Sequence, residues 1–281
     1  MNINKVKSFA KINLALHVTG KLTKLHKIES IVKFIRLHDL ITIKKIDSKK
    51  HKISFNGSFS KNIKKDNTVD KLFNILDEQK LLNNKKFQIK IKKNIPQEAG
   101  LGGGSMNVAN ILNFLLKKKF IKLNKKKILK ITNSIGSDVI LGINPISTVL
   151  SSKNVIKKFS KSPKFYTLLV RPNFGCSTKK IYSGVKKFTK PMFNNPKKNM
   201  LSLKFLLKQE NALEKIVFSK YPKLKKLKSF LESLKKPLFV RMTGSGSVII
   251  AYYRKKQDCE LAKVQFKRKF KNYWCNTSKT I

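Results

Sequence analysis

A cluster of glycines near residue 100 is the feature that most constrains how this chain can fold. The segment Pro96–Asn107 holds four of the chain's twelve glycines within five residues. The alternating segment Phe87–Ile91 precedes it, which indicates a strand. Apolar residues at helical spacing follow it from Val108 to Leu116, which indicates a helix. The predicted local order is therefore strand, glycine loop and helix N-terminus.

This predicted loop is suited to bind an anion. Glycine adopts positive φ at little cost and lets a ligand approach the backbone. The first N–H groups of a helix lack a partner inside the helix, and the helix dipole is positive there. A phosphate chain satisfies both features. Because the segment lacks the Walker A ending and the dinucleotide GxGxxG spacing, it predicts phosphate binding without identifying the protein class.

The net charge of +50 allows two interpretations. It arises from 64 Lys and Arg against 14 Asp and Glu, and such an excess is typical of nucleic-acid or membrane-surface binders. However, only five of the cations are arginine, the side chain expected to be enriched for phosphate recognition, and the lysines spread along the whole chain. We therefore favour compositional drift in an A+T-rich genome, and expect no specific nucleic-acid partner and no membrane partner.

Cysteine content and hydropathy indicate the cellular compartment in which the protein is expected. Three widely spaced cysteines, Cys176, Cys259 and Cys275, suggest neither a disulfide framework nor a metal-binding pair. No apolar run reaches the roughly 20 residues of a membrane-spanning helix, and the N-terminus lacks a signal-like apolar region. We expect a cytoplasmic protein.

The chain is long enough to bury a substantial core in one or two domains. It turns polar around residues 150–165, so we predict an N-terminal domain over 1–155 and a C-terminal domain over 156–281. A further segment, 190–199, is predicted to be an exposed and mobile loop. Asn56-Gly57 is predicted to form a hairpin-type turn.

Four motifs occur in a fixed order along the chain: Ala10–Leu14 (AKINL), Gly100–Ser105 (GLGGGS), Gly136–Val139 (GSDV) and Met242–Gly246 (MTGSG). Together they resemble the small-molecule kinases of the galactokinase, homoserine kinase, mevalonate kinase and phosphomevalonate kinase (GHMP) superfamily. The resemblance runs from Ser8 to Ala251. The first, second and fourth motifs are most similar to the branch whose acceptor is a cytidine diphosphate derivative of methylerythritol.

The resemblance implies an α+β, two-domain GHMP-kinase fold with the active site in the interdomain cleft. Its N-terminal domain would be ribosomal-protein-S5-domain-2-like, and its C-terminal domain ferredoxin-like. Lys11 and Asp138 are implied as the catalytic residues. The implied ATP-binding residues are Asn67 and Lys93 near the adenine, and Pro96, Ala99, Gly100, Leu101, Gly102, Gly103, Gly104 and Ser105 at the phosphates. The implied acceptor-binding residues are Asn13, His26, Tyr182, Thr243, Gly244 and Ser245.

Lys11 and Asp138 gain a shared explanation from this resemblance. Each is a charged residue beside apolar neighbours, and each has a simpler reading, as a solvated lysine and as a turn or cap aspartate. A lysine within about 4–6 Å of an aspartate lowers the pKa of that aspartate. An ionised aspartate can then accept the proton of a hydroxyl group during phosphoryl transfer.

The chain departs from the pattern of the resembled branch at several positions, of which three bear on the site. Leu25 stands where a tyrosine forms one face of the cytosine site, and Met106 replaces the second serine of the glycine loop. Glu98 places a negative charge beside that loop. These departures concern substrate specificity more than phosphate binding, and they predict weakened cytosine affinity.

The expected function is ATP-dependent phosphorylation of the 2-hydroxyl of this acceptor, in the non-mevalonate isoprenoid precursor pathway. Mg²⁺ is expected to accompany ATP, with Ser105 as its candidate ligand through the Mg–ATP complex. We expect a monomer or a homodimer. One alternative is a GHMP kinase of the homoserine or mevalonate type. The other is a catalytically eroded basic protein that binds polyanions.

Overall fold

The computed structural model describes residues 3–23 and 25–281. Within them the chain forms ten strands and eight helices, which confirms the α+β class. The strands are β1 (Asn4–Lys21), β2 (His26–Ile46), β3 (Lys52–Asn56), β4 (Lys86–Lys92), β5 (Ser147–Leu150), β6 (Ile156–Phe159), β7 (Tyr166–Arg171), β8 (Phe239–Met242), β9 (Ile249–Tyr253) and β10 (Trp274–Lys279). The helices are α1 (Thr68–Glu78), α2 (Gly103–Lys117), α3 (Lys125–Ile135), α4 (Thr178–Tyr182), α5 (Leu203–Leu207), α6 (Glu214–Lys220), α7 (Pro222–Ser233) and α8 (Lys256–Lys269).

The described chain divides into two compact units that are interleaved in sequence. The first unit comprises Met1–Ala10, Leu37–Gln97 and Gly102–Pro145, and the second comprises Lys11–Arg36, Glu98–Leu101 and Ile146–Ile281. The predicted single boundary between 1–155 and 156–281 therefore stays a prediction. The glycine loop is shared, because its residues up to Leu101 belong to the second unit and those from Gly102 belong to the first.

In the first unit, three strands carry a layer of helices. The C-terminal half of β2 pairs with β4 in antiparallel fashion, and β4 pairs with β3 in parallel. The apolar side chains of β4 pack in one core with the buried faces of α1 and α2. The predicted hairpin at Asn56-Gly57 is wrong, because the parallel pairing of β3 and β4 requires a crossover, and α1 provides it.

In the second unit, β7, β8, β9 and β10 form an antiparallel sheet in the order β10-β7-β9-β8. Helices α7 and α8 contribute their apolar faces to the core of this unit, through residues such as Leu227 and Phe266. The N-terminal half of β2 pairs with β5, which in turn pairs with β6. The Met242–Gly246 motif lies at the turn Thr243–Val248, which joins the antiparallel strands β8 and β9.

The segment after α4 is anchored more firmly than its polar composition predicts. Phe193 is fully buried, and the carboxylate of Glu29 accepts hydrogen bonds from the backbone N–H groups of Met192 (2.7 Å) and Phe193 (2.9 Å). The ring of His17 lies 3.2 Å from the same carboxylate. The prediction of an exposed, mobile loop over 190–199 is therefore wrong at its centre. In the described ranges, no helix has the length and apolar character that crossing a membrane requires.

Lys33 is a buried lysine in the N-terminal half of β2. Its side chain is 1% exposed, its ammonium group donates to the carbonyl oxygen of Pro163, and it lies 5.6 Å from the ring centroid of Phe165. Burial, with a smaller contribution from the charge of Lys164, lowers the pKa of Lys33 to about 8. The protonated form is therefore less favourable in the folded chain than in the unfolded chain.

We predict that Lys33→Met stabilises the protein at about pH 7 by on the order of 3 kcal/mol, and that this gain shrinks at high pH. The folded pKa lies below the unfolded one, so the wild type gains stability as the pH rises from about 8 to above 10. Urea unfolding of the wild type and of Lys33→Met, at about pH 7 and at a pH above 10, measures the difference in their free energies of unfolding. The exposed Lys153→Met is the control, and an equal Lys33→Met effect at both pH values would contradict the assignment.

Candidate active site

Helix α2 begins inside the glycine loop, with its N-terminus uncapped by a side chain. Its N-cap residue, Gly102, has φ +66° and makes no side-chain cap, and Gly100 has φ +73°. Both values lie in the left-handed region, which glycine enters without a Cβ penalty. The loop therefore presents the backbone of the first helical turn to a ligand, as the strand–loop–helix prediction requires.

In the first unit, the end of the loop lies beside the turn that leads to Asp138. The hydroxyl oxygen of Ser105 is 3.7 Å from the position that a Cβ would occupy at Gly136. Two residues later, half-buried Asp138 precedes the short 3-10 helix Val139–Gly142. The structure thus brings the predicted phosphate-loop serine next to the turn of the predicted catalytic aspartate.

Met106 points into the core instead of into the loop. Its side chain is fully buried, and its sulfur lies 3.0 Å from the position of a Cβ at Gly142. The Cβ of Ala109 lies 2.6 Å from the same position. Because Gly142 has no Cβ, it leaves space for the Met106 side chain. The replacement of the second loop serine is therefore accommodated by packing.

A buried aspartate that sequence reasoning missed organises the entry to the loop. Asp39 is fully buried and accepts hydrogen bonds from the backbone N–H groups of Asn94 (2.8 Å) and Ile95 (2.9 Å). The same carboxylate pairs with the ammonium group of Lys93 and accepts from the Asn107 amide (3.0 Å). Lys93 was expected near the adenine. Its ammonium nitrogen lies 3.2 Å from the Cβ position of Gly103, at the start of α2.

Asn67 caps α1, as its position before Thr68 predicts. Its side-chain oxygen accepts from the N–H groups of Val69 (2.9 Å) and Asp70 (3.3 Å), and Asp70 accepts in return from the Asn67 N–H (3.1 Å). The next residue, Thr68, lies close to the loop, because its hydroxyl oxygen is 3.2 Å from the Cβ position of Gly104. These capping hydrogen bonds account for the side chain of Asn67. The contact of Asn67 with adenine stays a prediction.

In the second unit, the start of the loop packs backbone to backbone against the Met242–Gly246 turn. A Cβ at Gly100 would overlap the carbonyl oxygen of Thr243, and one at Gly244 would lie 3.0 Å from the Gly100 Cα. The Thr243 hydroxyl donates to the Gly100 carbonyl (3.1 Å). The carbonyl of Ala99, itself buried like Pro96, accepts from Val248 N–H (3.3 Å).

Lys11 and Asn13 also contact the start of the glycine loop and the Met242–Gly246 turn. The buried Lys11 ammonium donates to the Asn13 side-chain oxygen (2.8 Å), and Lys11 N–H donates to the Leu101 carbonyl (3.1 Å). The backbone N–H of Asn13 donates to the Thr243 hydroxyl (3.0 Å). Predicted residues from three segments that are far apart in sequence therefore meet at one place. Lys11 belongs to the second unit and Asp138 to the first, and both their pairing and the interdomain cleft stay predictions.

Buried side chains hold the Met242–Gly246 turn in position. The Asn211 amide donates to the carbonyls of Met242 (2.9 Å) and Gly244 (2.8 Å). The Glu214 carboxylate accepts from Met242 N–H (2.7 Å). Ser245 exchanges a hydrogen bond with the hydroxyl of Thr178 at the start of α4 (2.9 Å). This turn is therefore rigid at the residues that were predicted to face the acceptor.

Glu98 has its own structural role beside the loop. Its φ is +48°, and its carbonyl accepts from the N–H groups of Cys176 (3.0 Å) and Ser247 (3.2 Å). Its side chain lies against Gly175, where a Cβ would be 2.8 Å from a carboxylate oxygen. Together with burial, which is the larger cause, its charge raises the pKa of the Cys176 thiol to about 11.

His26 and Tyr182, both predicted to contact the acceptor, lie side by side with 5.2 Å between ring centroids. A third ring, Phe188, lies 6.5 Å from His26, and sequence reasoning missed it. Burial, followed by the charge of Lys21, lowers the pKa of His26, so this imidazole is neutral at pH 7. A neutral imidazole offers one hydrogen-bond donor and one acceptor.

Comparisons with known proteins agree with this geometry. Residues 67–148 match the model of the GHMP kinases N terminal domain, and residues 193–272 match that of the GHMP kinases C terminal. The chain is 58% identical to 4-diphosphocytidyl-2-C-methyl-D-erythritol kinase of Pelagibacter ubique over 281 residues, which is all of both chains. It is 32% identical to the enzyme of that name from Clostridium tetani, over 99% of this chain and 100% of the relative.

Solved structures show the same fold. A 4-(cytidine 5'-diphospho)-2C-methyl-D-erythritol kinase superposes with a TM-score of 0.77 at 21% identity, covering 98% of this chain and 99% of the other. Homoserine kinase from Cytophaga hutchinsonii gives a TM-score of 0.72 at 16% identity, covering 100% and 95%. With both domain models matched in order and relatives aligned along the full length, the chain belongs to the GHMP kinase family.

Proposed function

We propose that this protein is an ATP-dependent kinase that phosphorylates the 2-hydroxyl of 4-diphosphocytidyl-2-C-methyl-D-erythritol. The reaction is a step of the non-mevalonate pathway to isoprenoid precursors. The observation that carries the proposal is the 58% identity, over the full length of both chains, to a kinase of that name. The paired rings of His26 and Tyr182 support a planar, hydrogen-bonding base as part of the acceptor.

The donor half of the proposed site is the glycine loop. The backbone N–H groups at the start of α2 would bind the ATP phosphates, and the helix dipole would favour their negative charge. The Lys93 ammonium lies at the same place, beside Gly103, as the positive end of its ion pair with Asp39. The Asp39 carboxylate fixes this ammonium and the Asn94–Ile95 backbone ahead of the loop.

Mg²⁺ is proposed to enter with ATP. Phosphate-bound Mg²⁺ keeps much of its water and needs few protein ligands, so one hydroxyl or carboxylate beside the loop suffices. The Ser105 hydroxyl, at the end of the loop and next to Gly136, fits this requirement. When bound, the ion would neutralise charge on the phosphates.

The proposed transfer uses Asp138 and Lys11. The Asp138 carboxylate accepts the proton of the acceptor hydroxyl as the hydroxyl oxygen bonds to the γ-phosphorus. The bond between that phosphorus and the bridging oxygen breaks, and ADP leaves with the electron pair. The Lys11 ammonium, held by Asn13, stabilises the negative charge on the transferring group.

A substrate panel tests the proposal. With Mg–ATP, the purified protein is expected to phosphorylate the cytidyl substrate at least 100-fold more efficiently in kcat/KM than homoserine or mevalonate, because a site built to hydrogen-bond a base rejects ligands that lack it. Preferred turnover of homoserine or mevalonate would overturn the assigned acceptor. Absence of turnover with all three, together with tight DNA binding, would favour the polyanion-binding alternative.

We predict that Asp138→Asn lowers kcat by roughly 10²–10⁴-fold, because the amide cannot accept the hydroxyl proton. Lys11→Met is expected to lower kcat as well, through the loss of charge stabilisation. Initial-rate kinetics measure both effects, and thermal unfolding verifies folding. The exposed Asp47→Asn serves as the matched control. Wild-type kcat in Asp138→Asn would rule out its role as proton acceptor.

The lowered pKa of His26 predicts a pH dependence of substrate binding. Below that pKa the imidazole becomes a cation and loses its acceptor nitrogen, so the KM for the cytidyl substrate rises as the pH falls. Above it, the KM stays constant. His26→Gln is expected to raise this KM at pH 7 and to flatten its pH profile. The KM for ATP is the internal control, and an unchanged profile in the variant would exclude His26 as the source.

A further inference from the structure

Phe188 is an exposed aromatic residue in an unusual setting. Its side chain is 47% exposed, and its ring lies 6.5 Å from that of His26, which in turn lies 5.2 Å from Tyr182. Isolated exposed apolar residues are common and need no explanation. Here, however, the exposed ring completes a cluster of three rings in a segment whose neighbours, Lys186 and Lys187, are exposed and charged.

The segment that carries Phe188 is fixed on its C-terminal side. The next residue, Thr189, donates both its N–H (2.9 Å) and its hydroxyl (3.2 Å) to the carbonyl of Val18. A few residues on, Glu29 binds the N–H groups of Met192 and Phe193, and Phe193 is fully buried. The exposed ring is thus held near His26 before any ligand binds. Preorganisation of this kind lowers the entropic cost of binding.

These features together suit a planar nitrogenous base. Aromatic rings stack on the face of a base, and a neutral imidazole supplies a donor and an acceptor to its edge. Leu25, where the resembled kinases have a tyrosine, is 63% exposed and offers no ring. The aromatic face that a tyrosine would supply at position 25 is therefore missing. The exposed ring of Phe188 offers an aromatic face next to His26.

We infer that Phe188 is a specificity-determining residue that stacks on the cytosine of the acceptor and supplies the aromatic face absent at Leu25. This inference rests on the proposed function for the identity of the base. The weakened cytosine affinity expected from Leu25 alone is then offset by a ring from a different segment. Glu29 is a positioning residue, because its carboxylate fixes the segment that carries Phe188.

Steady-state kinetics of Phe188→Ala test the inference. The KM for 4-diphosphocytidyl-2-C-methyl-D-erythritol is expected to rise about 5- to 100-fold, the range found when a stacked aromatic is truncated. The KM for ATP is expected to stay unchanged. Phe188→Tyr retains the ring and is expected to restore the wild-type KM. The control is Met192→Ala, which truncates another exposed side chain of the same segment (55%, against 47% for Phe188) and keeps the N–H bound to Glu29.

Binding of CDP separates failure of this inference from failure of the proposed function. Calorimetry measures the affinity for CDP whether or not the protein turns over substrate. If the wild type phosphorylates the cytidyl substrate and Phe188→Ala matches it in both KM and CDP affinity, only the role of Phe188 is overturned. If the wild type has no turnover, loss of CDP affinity in Phe188→Ala still supports stacking, and unchanged affinity overturns it.

A double-mutant comparison tests the positioning role of Glu29. Glu29→Gln is expected to raise the KM for the cytidyl substrate, because the N–H groups of Met192 and Phe193 bind different carboxylate oxygens and an amide keeps only one acceptor oxygen. Once Phe188 is alanine, Glu29→Gln is expected to have little further effect on that KM. Additive effects of the two changes would show that Glu29 affects this KM independently of Phe188 and would overturn its positioning role.

Discussion

The close approach of Gly100 to the turn at Thr243 and Gly244 is the constraint on which the site depends. Two backbone segments separated by 143 residues meet where a Cβ on Gly100 would overlap the Thr243 carbonyl oxygen and one on Gly244 would lie only 3.0 Å from the Gly100 Cα. The Thr243 hydroxyl links both to β1, because it donates to the Gly100 carbonyl and accepts the N–H of Asn13. The start of the glycine loop and the Met242–Gly246 turn are therefore joined directly by backbone packing and hydrogen bonds.

Three buried carboxylates fix backbone segments near the proposed site. Asp39 fixes the backbone ahead of the glycine loop, Glu214 fixes the N–H of Met242 at the start of the Met242–Gly246 turn, and Glu29 fixes the segment that follows Phe188. Each accepts backbone N–H groups, which buried carboxylates use to offset their desolvation. In a chain with only 14 acidic residues, these three support segments that carry site residues. Most of the 64 cations have no comparable role in the proposed chemistry.

Local sequence signals predicted much of the fold. The alternating residues Phe87–Ile91 predicted the strand β4, and the helical spacing from Val108 to Leu116 predicted helix α2, because both patterns depend on neighbouring residues. The Asn56-Gly57 turn was misread, because a parallel pairing with β4 overrides the local hairpin signal. The motif order identified the glycine loop and the Met242–Gly246 turn correctly, although each motif alone was weak.

Long-range polar contacts escaped prediction for a physical reason. Asp39 acts on residues 54 to 68 positions away, and nothing in its own strand indicates those partners. Phe188 lies in a polar segment, and the carbonyl of Val18 and the carboxylate of Glu29 that fix this segment lie 171 and 163 residues from their partners Thr189 and Met192. A partial signal existed, since an aspartate between apolar strand residues is costly to bury unless it is bonded. Identifying its partners required the fold.

The most direct test of this account is the Gly100→Ala variant, compared with Gly20→Ala. An alanine at Gly20 meets only ordinary contacts with the Lys27 side chain, whereas at Gly100 it meets the Thr243 backbone at a φ of +73°. We expect Gly20→Ala to keep wild-type kcat/KM for ATP and for the cytidyl substrate. Gly100→Ala is expected to lose at least about 100-fold in both while the protein stays folded by circular dichroism. Retention of wild-type activity in Gly100→Ala would contradict the claim that this backbone contact forms the site.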